Sequence, residues 1–80
     1  ELNQLYEAYK QHPTIFTDSR LAKNGGLFFA LKGDRFDGNQ FALQALADGA
    51  HFAIVDDANL TNEQRCIYVP DVLAALQQLA

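Results

Sequence analysis

A run of five apolar residues, LFFAL at positions 27–31, is the feature that most constrains how this chain can fold. It follows a glycine-rich turn at 23–26 and ends at a polar stretch that starts with Lys32. A strand with one wet face alternates apolar and polar residues, whereas a continuous apolar run is typical of a strand buried on both faces. The run therefore predicts the interior of a sheet that is covered on both sides.

The other apolar segments alternate between strand-like and helix-like patterns. Strands are predicted at 14–17, 52–55 and 66–69, where β-branched and aromatic residues cluster. Three further segments have apolar residues at helical spacing and are predicted to be helices. Their predicted buried faces are Leu2, Leu5, Tyr6 and Tyr9 in the first; Phe41, Ala42, Ala45 and Leu46 in the second; and Val72, Leu73, Leu76, Leu79 and Ala80 in the third. The order α-β-β-α-β-β-α predicts an α/β fold, a small three-layer domain with a mainly parallel or mixed sheet flanked by helices.

Length and composition limit the class of protein. Eighty residues, 49% of them hydrophobic, make one small globular domain. No apolar run approaches the roughly 20 residues that cross a bilayer, so no membrane insertion is expected. The single cysteine, Cys66, allows no internal disulfide, fits a reducing cytoplasm and is expected to be a small buried residue. The chain has neither an initial methionine nor a signal peptide, so we expect a domain cut from a longer cytoplasmic protein. We also expect the protein to be a monomer.

The charges are unevenly distributed. The whole chain carries a net charge of −4, which argues against nucleic acid as a partner. Between positions 14 and 41, however, lie four of the six Lys and Arg residues and only three acidic residues, so the local net charge is +1. A small basic region on an acidic domain suits a small anionic ligand better than a polymer, although chance clustering on a solvated surface also accounts for it.

Two polar loops follow predicted strands in this region. Asp18, Ser19 and Arg20 follow the first strand, and a second loop, 32–39, follows the buried one and leads into a helix. Loops at strand ends and helix N-termini are where α/β sheets bind ligands and anions. The alternatives are a turn closed by Asp18 and Arg20, and a plain strand-to-helix connection. Either Asp37 or Asn39 can cap the following helix.

Several common kinds of site are excluded. Gly33 and Gly38 have the spacing of a P-loop, but Asn39 and Gln40 stand where Lys and Ser or Thr are needed to hold ATP and magnesium. No Gly-x-Gly-x-x-Gly follows a strand. The two histidines are far apart without a cysteine at ligand spacing, and Ser19 lies outside any nucleophile elbow. We therefore expect no catalytic, cofactor or metal residue in these 80 positions.

Five segments carry a resemblance to a known family: DSR at 18–20, GLFFALKG at 26–33, FDG at 36–38 with Phe41, 45–50, and 69–80. Together they resemble the N-terminal domain of the Mur ligases, over essentially all of 15–80. The motif Phe-Phe-Ala-Leu-Lys-Gly is most similar to the corresponding motif of the member that adds D-alanyl-D-alanine to UDP-N-acetylmuramoyl-tripeptide. The sister ligase that adds the third residue of the stem peptide, and a non-catalytic nucleotide-sugar-binding module, remain alternatives.

The resemblance implies a division of labour. This domain would bind the UDP-sugar end of UDP-N-acetylmuramoyl-tripeptide. A central domain outside the 80 residues would bind ATP and Mg²⁺, and a C-terminal domain would place D-alanyl-D-alanine. The full enzyme would join the two through an acyl phosphate. The substrate-binding residues that the resemblance implies are Thr17, Ser19, Arg20, Lys32, Gly33, Asp34, Arg35, Phe36 and Asn39.

Three of these residues have distinct implied roles. Ser19 would contact the uridine and Arg35 the phosphates. Many relatives have histidine where this chain has Asn39, and asparagine can donate a hydrogen bond but cannot carry a proton charge. A role at position 39 that needs a histidine proton is therefore not expected here.

Overall fold

The computed structural model describes residues 2–18, 25–32, 37–60 and 63–79. Three helices, four strands and two short 3₁₀ helices make up this part of the chain. Their bounds are α1 Leu2–Gln11, β1 Ile15–Phe16, β2 Leu27–Phe29, a 3₁₀ helix Gly38–Phe41, α2 Ala42–Asp48, β3 Phe52–Val55, a 3₁₀ helix Ala58–Leu60, β4 Cys66–Tyr68 and α3 Val72–Leu79. No helix in these described ranges is both long and apolar enough to span a bilayer. The predicted order of helices and strands is confirmed, and each strand differs from its predicted bounds by two residues or fewer.

The four strands form one sheet in the order β1-β2-β3-β4. Each strand runs parallel to its neighbour, with Phe28 paired to Phe16 on one side and to Ala53 on the other. All four therefore end at one edge, which we call the carboxyl edge: the residues that directly follow the strands, 17, 30–32, 56 and 69–71. In an open parallel sheet this is the edge where ligands bind.

The strand residues alternate between two separate cores. Leu27, Phe29 and Ile54 point to the face covered by α1 and α3. Phe28 and Ala53 point to the opposite face, which is covered by α2 and touched by the second 3₁₀ helix. Because β2 is buried on both faces, its uninterrupted apolar sequence is explained, and the three-layer prediction is confirmed.

The buried faces of the helices are narrower than predicted. Tyr6, Phe41 and Leu73 are 40%, 43% and 51% exposed, so their predicted burial is wrong. Small residues take those places: Ala8 and Ala75 are nearly fully buried on α1 and α3. Phe41 also belongs to the 3₁₀ helix rather than to α2, which changes the direction of its side chain. Alanine on the inner face lets a helix lie close to the sheet, and the larger side chains then remain outside.

Candidate functional site

The predicted substrate-binding residues fall into two groups in the structure. Ser19, Arg20, Gly33, Asp34, Arg35 and Phe36 lie outside the described residues. Thr17, Lys32 and Asn39 are described, and all three lie at or beside the carboxyl edge. Thr17 directly follows β1 and is exposed. Lys32 and Asn39 are brought together by a residue that the sequence did not single out, Asp56.

The side-chain amide of Asn39 makes three hydrogen bonds. Asn39 is only 5% exposed, and its Nδ2 donates to Asp37 Oδ1 at 2.7 Å and to Asp56 Oδ1 at 2.7 Å. Its Oδ1 accepts a hydrogen bond of 3.1 Å from the backbone N–H of Asp56. Both amide hydrogens and the oxygen are therefore occupied. In the described structure this side chain fastens the turn that follows β2 to the end of β3.

Lys32 completes the same cluster. Its Nζ lies 3.5 Å from Asp56 Oδ1. The lysine side chain is 54% exposed and the Asp56 side chain 17%, so the ammonium group faces solvent while the carboxylate is largely covered. An exposed pair of this kind contributes little stability, about 0–1 kcal/mol, so its importance lies in where it holds the charge.

Backbone hydrogen bonds join the end of the β2 segment to the turn that begins at Asp37. Lys32 and Asp37 form an antiparallel bridge, and Gly38 donates its N–H to the Leu31 carbonyl at 2.8 Å. A Cβ on Gly38 would lie 2.5 Å from that carbonyl oxygen and 2.8 Å from the Ala30 carbonyl carbon. Only glycine allows this approach, which explains the glycine of the Phe-Asp-Gly motif by packing rather than by ligand binding.

Asp37 acts as the cap of the 3₁₀ helix that leads into α2. Its Oδ1 accepts the backbone N–H of Asn39 at 2.9 Å, as one of the two sequence alternatives predicted. This backbone hydrogen bond, supported by the side-chain amide of Asn39 and the charge of Lys32, holds the pKa of Asp37 below its ordinary value of 3.8 against the smaller effect of burial. The carboxylate therefore remains ionised at neutral pH.

An open cleft of about 400 Å³ adjoins the cluster. Residues that follow three neighbouring strands line it, with the first turn of α3 as a wall: Leu31, Lys32, Asp56, Pro70, Asp71, Val72 and Leu73. Apolar and charged groups thus share one opening at the carboxyl edge, the arrangement of a small-molecule site with a few polar anchors. A depression of similar volume between α1 and α3, about 440 Å³, lies on a helical face away from the strand ends.

The opposite edge of the sheet holds a feature that the sequence did not predict. The rings of His12 and His51 stack with centroids 3.8 Å apart, although 38 residues separate them in the chain. Partial burial lowers the pKa of His51, and repulsion from His12 and Arg65 adds to the effect. The pairing follows from the sheet, because α1 ends just before β1 and His51 comes just before β3. Within the described ranges, no three His, Cys, Asp or Glu residues cluster as a metal site would require.

Cys66 lies inside the core, as predicted. It is 7% exposed and packs in the cluster beneath α2. Burial raises the pKa of its thiol, and the Glu63 carboxylate adds to the rise. A raised pKa keeps the sulfur protonated and unreactive at neutral pH.

Asp56 is the site residue that sequence reasoning missed. It opens a stretch, 56–64, that reads as an ordinary acidic loop. The signal that could have identified it is topological: in a parallel sheet, the residue directly after β3 must lie beside the loop that follows the neighbouring strand, β2.

Comparison with known proteins places this geometry in a family. Residues 14–80 match the family described as Mur ligase family, catalytic domain. The 2,6-diaminopimelate-adding UDP-N-acetylmuramoyl-L-alanyl-D-glutamate ligase of Rickettsia typhi is 42% identical over 77 residues, 96% of this chain and 15% of the relative. The UDP-N-acetylmuramoyl-tripeptide–D-alanyl-D-alanine ligase of Bacillus subtilis is 40% identical over 80 residues, 98% of this chain and 17% of the relative.

Solved structures agree in both fold and sequence. MurF ligase from Thermotoga maritima, solved in complex with ADP, superposes with a TM-score of 0.75 at 32% identity, covering 82% of this chain and 15% of that protein. MurF from Acinetobacter baumannii gives 0.72 at 44% identity, covering 82% and 14%. The chain thus spans about one sixth of the length of these relatives. The fold, the loop motifs and the match over 14–80 together establish that this chain belongs to the Mur ligase family.

Proposed function

We propose that these residues form the UDP-N-acetylmuramoyl-peptide-binding domain of a peptidoglycan-precursor ligase. The observation that carries the proposal is the polar cluster of Lys32, Asn39 and Asp56 at the carboxyl edge, beside an open cleft. Its position is that of ligand sites in parallel α/β sheets. Family membership supplies the substrate class, because the matched relatives are named for ligases of UDP-N-acetylmuramoyl peptides.

The proposed role is to anchor a long substrate far from the reacting carboxylate. Lys32 offers an exposed ammonium group to an anionic or carbonyl oxygen of the substrate. Leu31 and Leu73 offer apolar surface in the same cleft. Binding energy from such remote contacts serves the reaction by fixing the reacting end in place. Ser19, Arg20 and Arg35 remain proposed partners of the uridine and phosphates.

ATP and Mg²⁺ are proposed to bind outside these 80 residues. Positions 39 and 40 supply neither the lysine nor the hydroxyl group that a P-loop needs to hold phosphates and magnesium. In the proposed reaction ATP activates the substrate carboxylate as an acyl phosphate, and the incoming amine displaces the phosphate. The residues described here bind and orient substrate and hold no reacting atom.

Two ligases are candidates for the full-length protein, and they differ in the group that they add to the peptide. The D-alanyl-D-alanine ligase is favoured by the Phe-Phe-Ala-Leu-Lys-Gly motif and by the superposed MurF structures at 32–44% identity. The diaminopimelate ligase is favoured by relatives such as those of Rickettsia typhi and Rickettsia prowazekii, which are 42% and 39% identical.

An activity assay separates the two candidates. The full-length gene product is incubated with ATP and Mg²⁺, either with UDP-N-acetylmuramoyl-tripeptide and D-alanyl-D-alanine, or with the UDP-N-acetylmuramoyl dipeptide and diaminopimelate. Mass spectrometry of the product is the measurement. We expect the pentapeptide product from the first pair. The tripeptide product alone would select the second candidate, and no product from either pair would favour a non-catalytic module.

A further inference from the structure

Asp56 connects the loops that follow β2 and β3. Its carboxylate accepts a hydrogen bond from Asn39 Nδ2 at 2.7 Å and lies 3.5 Å from Lys32 Nζ. Its backbone N–H donates to Asn39 Oδ1 at 3.1 Å. One residue thus makes three contacts with the neighbouring loop, and two of them use the same carboxylate oxygen.

The exposures of the two charged groups differ in a way that suggests separate roles. Lys32 is 54% exposed, and its long, flexible side chain pairs with Asp56, while its charge also acts on Asp37. Asp56 is 17% exposed, and Asn39 and Lys32 occupy its carboxylate. A covered, engaged carboxylate is poorly placed to meet a ligand, and its charge would repel a diphosphate.

We propose that Asp56 is a positioning residue for the nucleotide-sugar substrate and acts through Lys32. By pairing with the ammonium group, it limits the conformations of the lysine side chain and holds its charge at the mouth of the cleft. Part of the ordering entropy is then lost before the substrate binds, which favours binding. This inference rests on the proposed function, since it needs a UDP-sugar substrate at the carboxyl edge.

Isosteric substitution isolates the contact with Lys32. Asp56→Asn keeps an oxygen that can accept from Asn39 and leaves the backbone N–H in place, but it removes the charge that holds Lys32. Lys32→Gln removes the ammonium group itself. Asp48→Asn is the matched control, because it makes the same charge change at the far end of α2, where Asp48 accepts from Gln44 Nε2 at 3.0 Å.

The measurement is the Kd of the full-length gene product for UDP-N-acetylmuramoyl-tripeptide, by calorimetry. We expect Lys32→Gln and Asp56→Asn each to weaken binding about five- to tenfold, and the control less than twofold. The double variant should bind no more weakly than Lys32→Gln alone, because Asp56 acts through the lysine. A merely structural role would instead multiply the two losses.

Three results overturn the inference: multiplied losses, unchanged affinity in Asp56→Asn, or tighter binding in that variant. Asp56→Glu keeps the charge but moves it by one methylene, so it provides a second test should Asp56→Asn fail to fold; unchanged affinity there also contradicts the inference. If the wild-type protein does not bind the probe, the proposed function fails and the inference fails with it. If the wild type binds and the variants bind equally well, only the inference fails.

Discussion

At the scale of single residues, Asn39 stands where many relatives have histidine, and its neutral side chain satisfies every hydrogen bond that its surroundings require. An uncharged amide between two carboxylates donates one hydrogen to each, and its oxygen accepts the N–H of Asp56. The arrangement needs no proton exchange to remain satisfied. It thus holds the turn after β2 against the end of β3.

The first prediction concerns this amide. Asn39→Ala should lower the free energy of unfolding by about 2–3 kcal/mol, because it removes three side-chain hydrogen bonds and leaves the Asp56 N–H without its acceptor. Chemical denaturation of wild type and variant is the measurement. Asn59→Ala is the control, since Asn59 is exposed and should change stability by less than about 0.5 kcal/mol. Equal effects of the two substitutions would contradict the role of the Asn39 amide.

The sequence singles out Asn39 but gives no sign of its distant partner, Asp56. Asp37 was foreseeable as one of two possible caps, because an acidic residue directly before a helical turn commonly accepts a backbone N–H of its first turn. Asp56 is 17 residues away from Asn39, and only the strand order brings the two together. Contacts that depend on tertiary register carry no local pattern. For the same reason the stacking of His12 on His51 was not predicted.

At the scale of elements, apolar periodicity was sufficient to predict the three α-helices and four strands of the described residues, but not the two 3₁₀ helices. The uninterrupted run at 27–31 gave β2, and the cap at Asp71 gave the start of α3, where Asp71 Oδ1 accepts the Ala74 N–H at 3.1 Å. Periodicity was insufficient for the exact buried face. Tyr6 and Leu73 have the right spacing but are exposed, whereas Ala8 and Ala75 on the same helices are buried.

The capped entry to α2 predicts a pH dependence of stability. Because the pKa of Asp37 is lower in the folded protein than its ordinary 3.8, the unfolded chain takes up a proton first as the pH falls. The contribution of Asp37 is therefore complete above about pH 4 and is lost as the pH drops through 3.8 and the folded pKa. Asp37→Asn, which can still cap, should show a shallower loss of stability between pH 5 and 2.

Thermal unfolding of both proteins across that pH range is the measurement. Asp48→Asn is a suitable control, because it removes a carboxylate from the exposed far end of α2 and should leave the slope close to that of the wild type. Identical slopes for Asp37→Asn and wild type would contradict the capping account.

At the scale of the whole molecule, the residues that stabilise the fold and the residues proposed to bind substrate lie in different places. Two apolar cores lie on the two faces of the sheet, and the polar cluster and its cleft lie at the carboxyl edge between them. The opposite edge, where the four strands begin, is called the amino edge. Arg65, which donates to the carbonyls of Ala50 and His51, and the stacked histidines occupy it. The central claim is therefore spatial: the substrate binds at the carboxyl edge.

Hydrogen–deuterium exchange of the full-length gene product, with and without saturating UDP-N-acetylmuramoyl-tripeptide, tests that claim most directly. We predict that the substrate slows exchange in peptides covering 17–41 and the start of the loop after β3 at position 56, while peptides covering 49–52 and 63–66 at the opposite edge exchange as before. Protection confined to the amino edge, or to neither edge while binding is measurable, would contradict the assignment of the site.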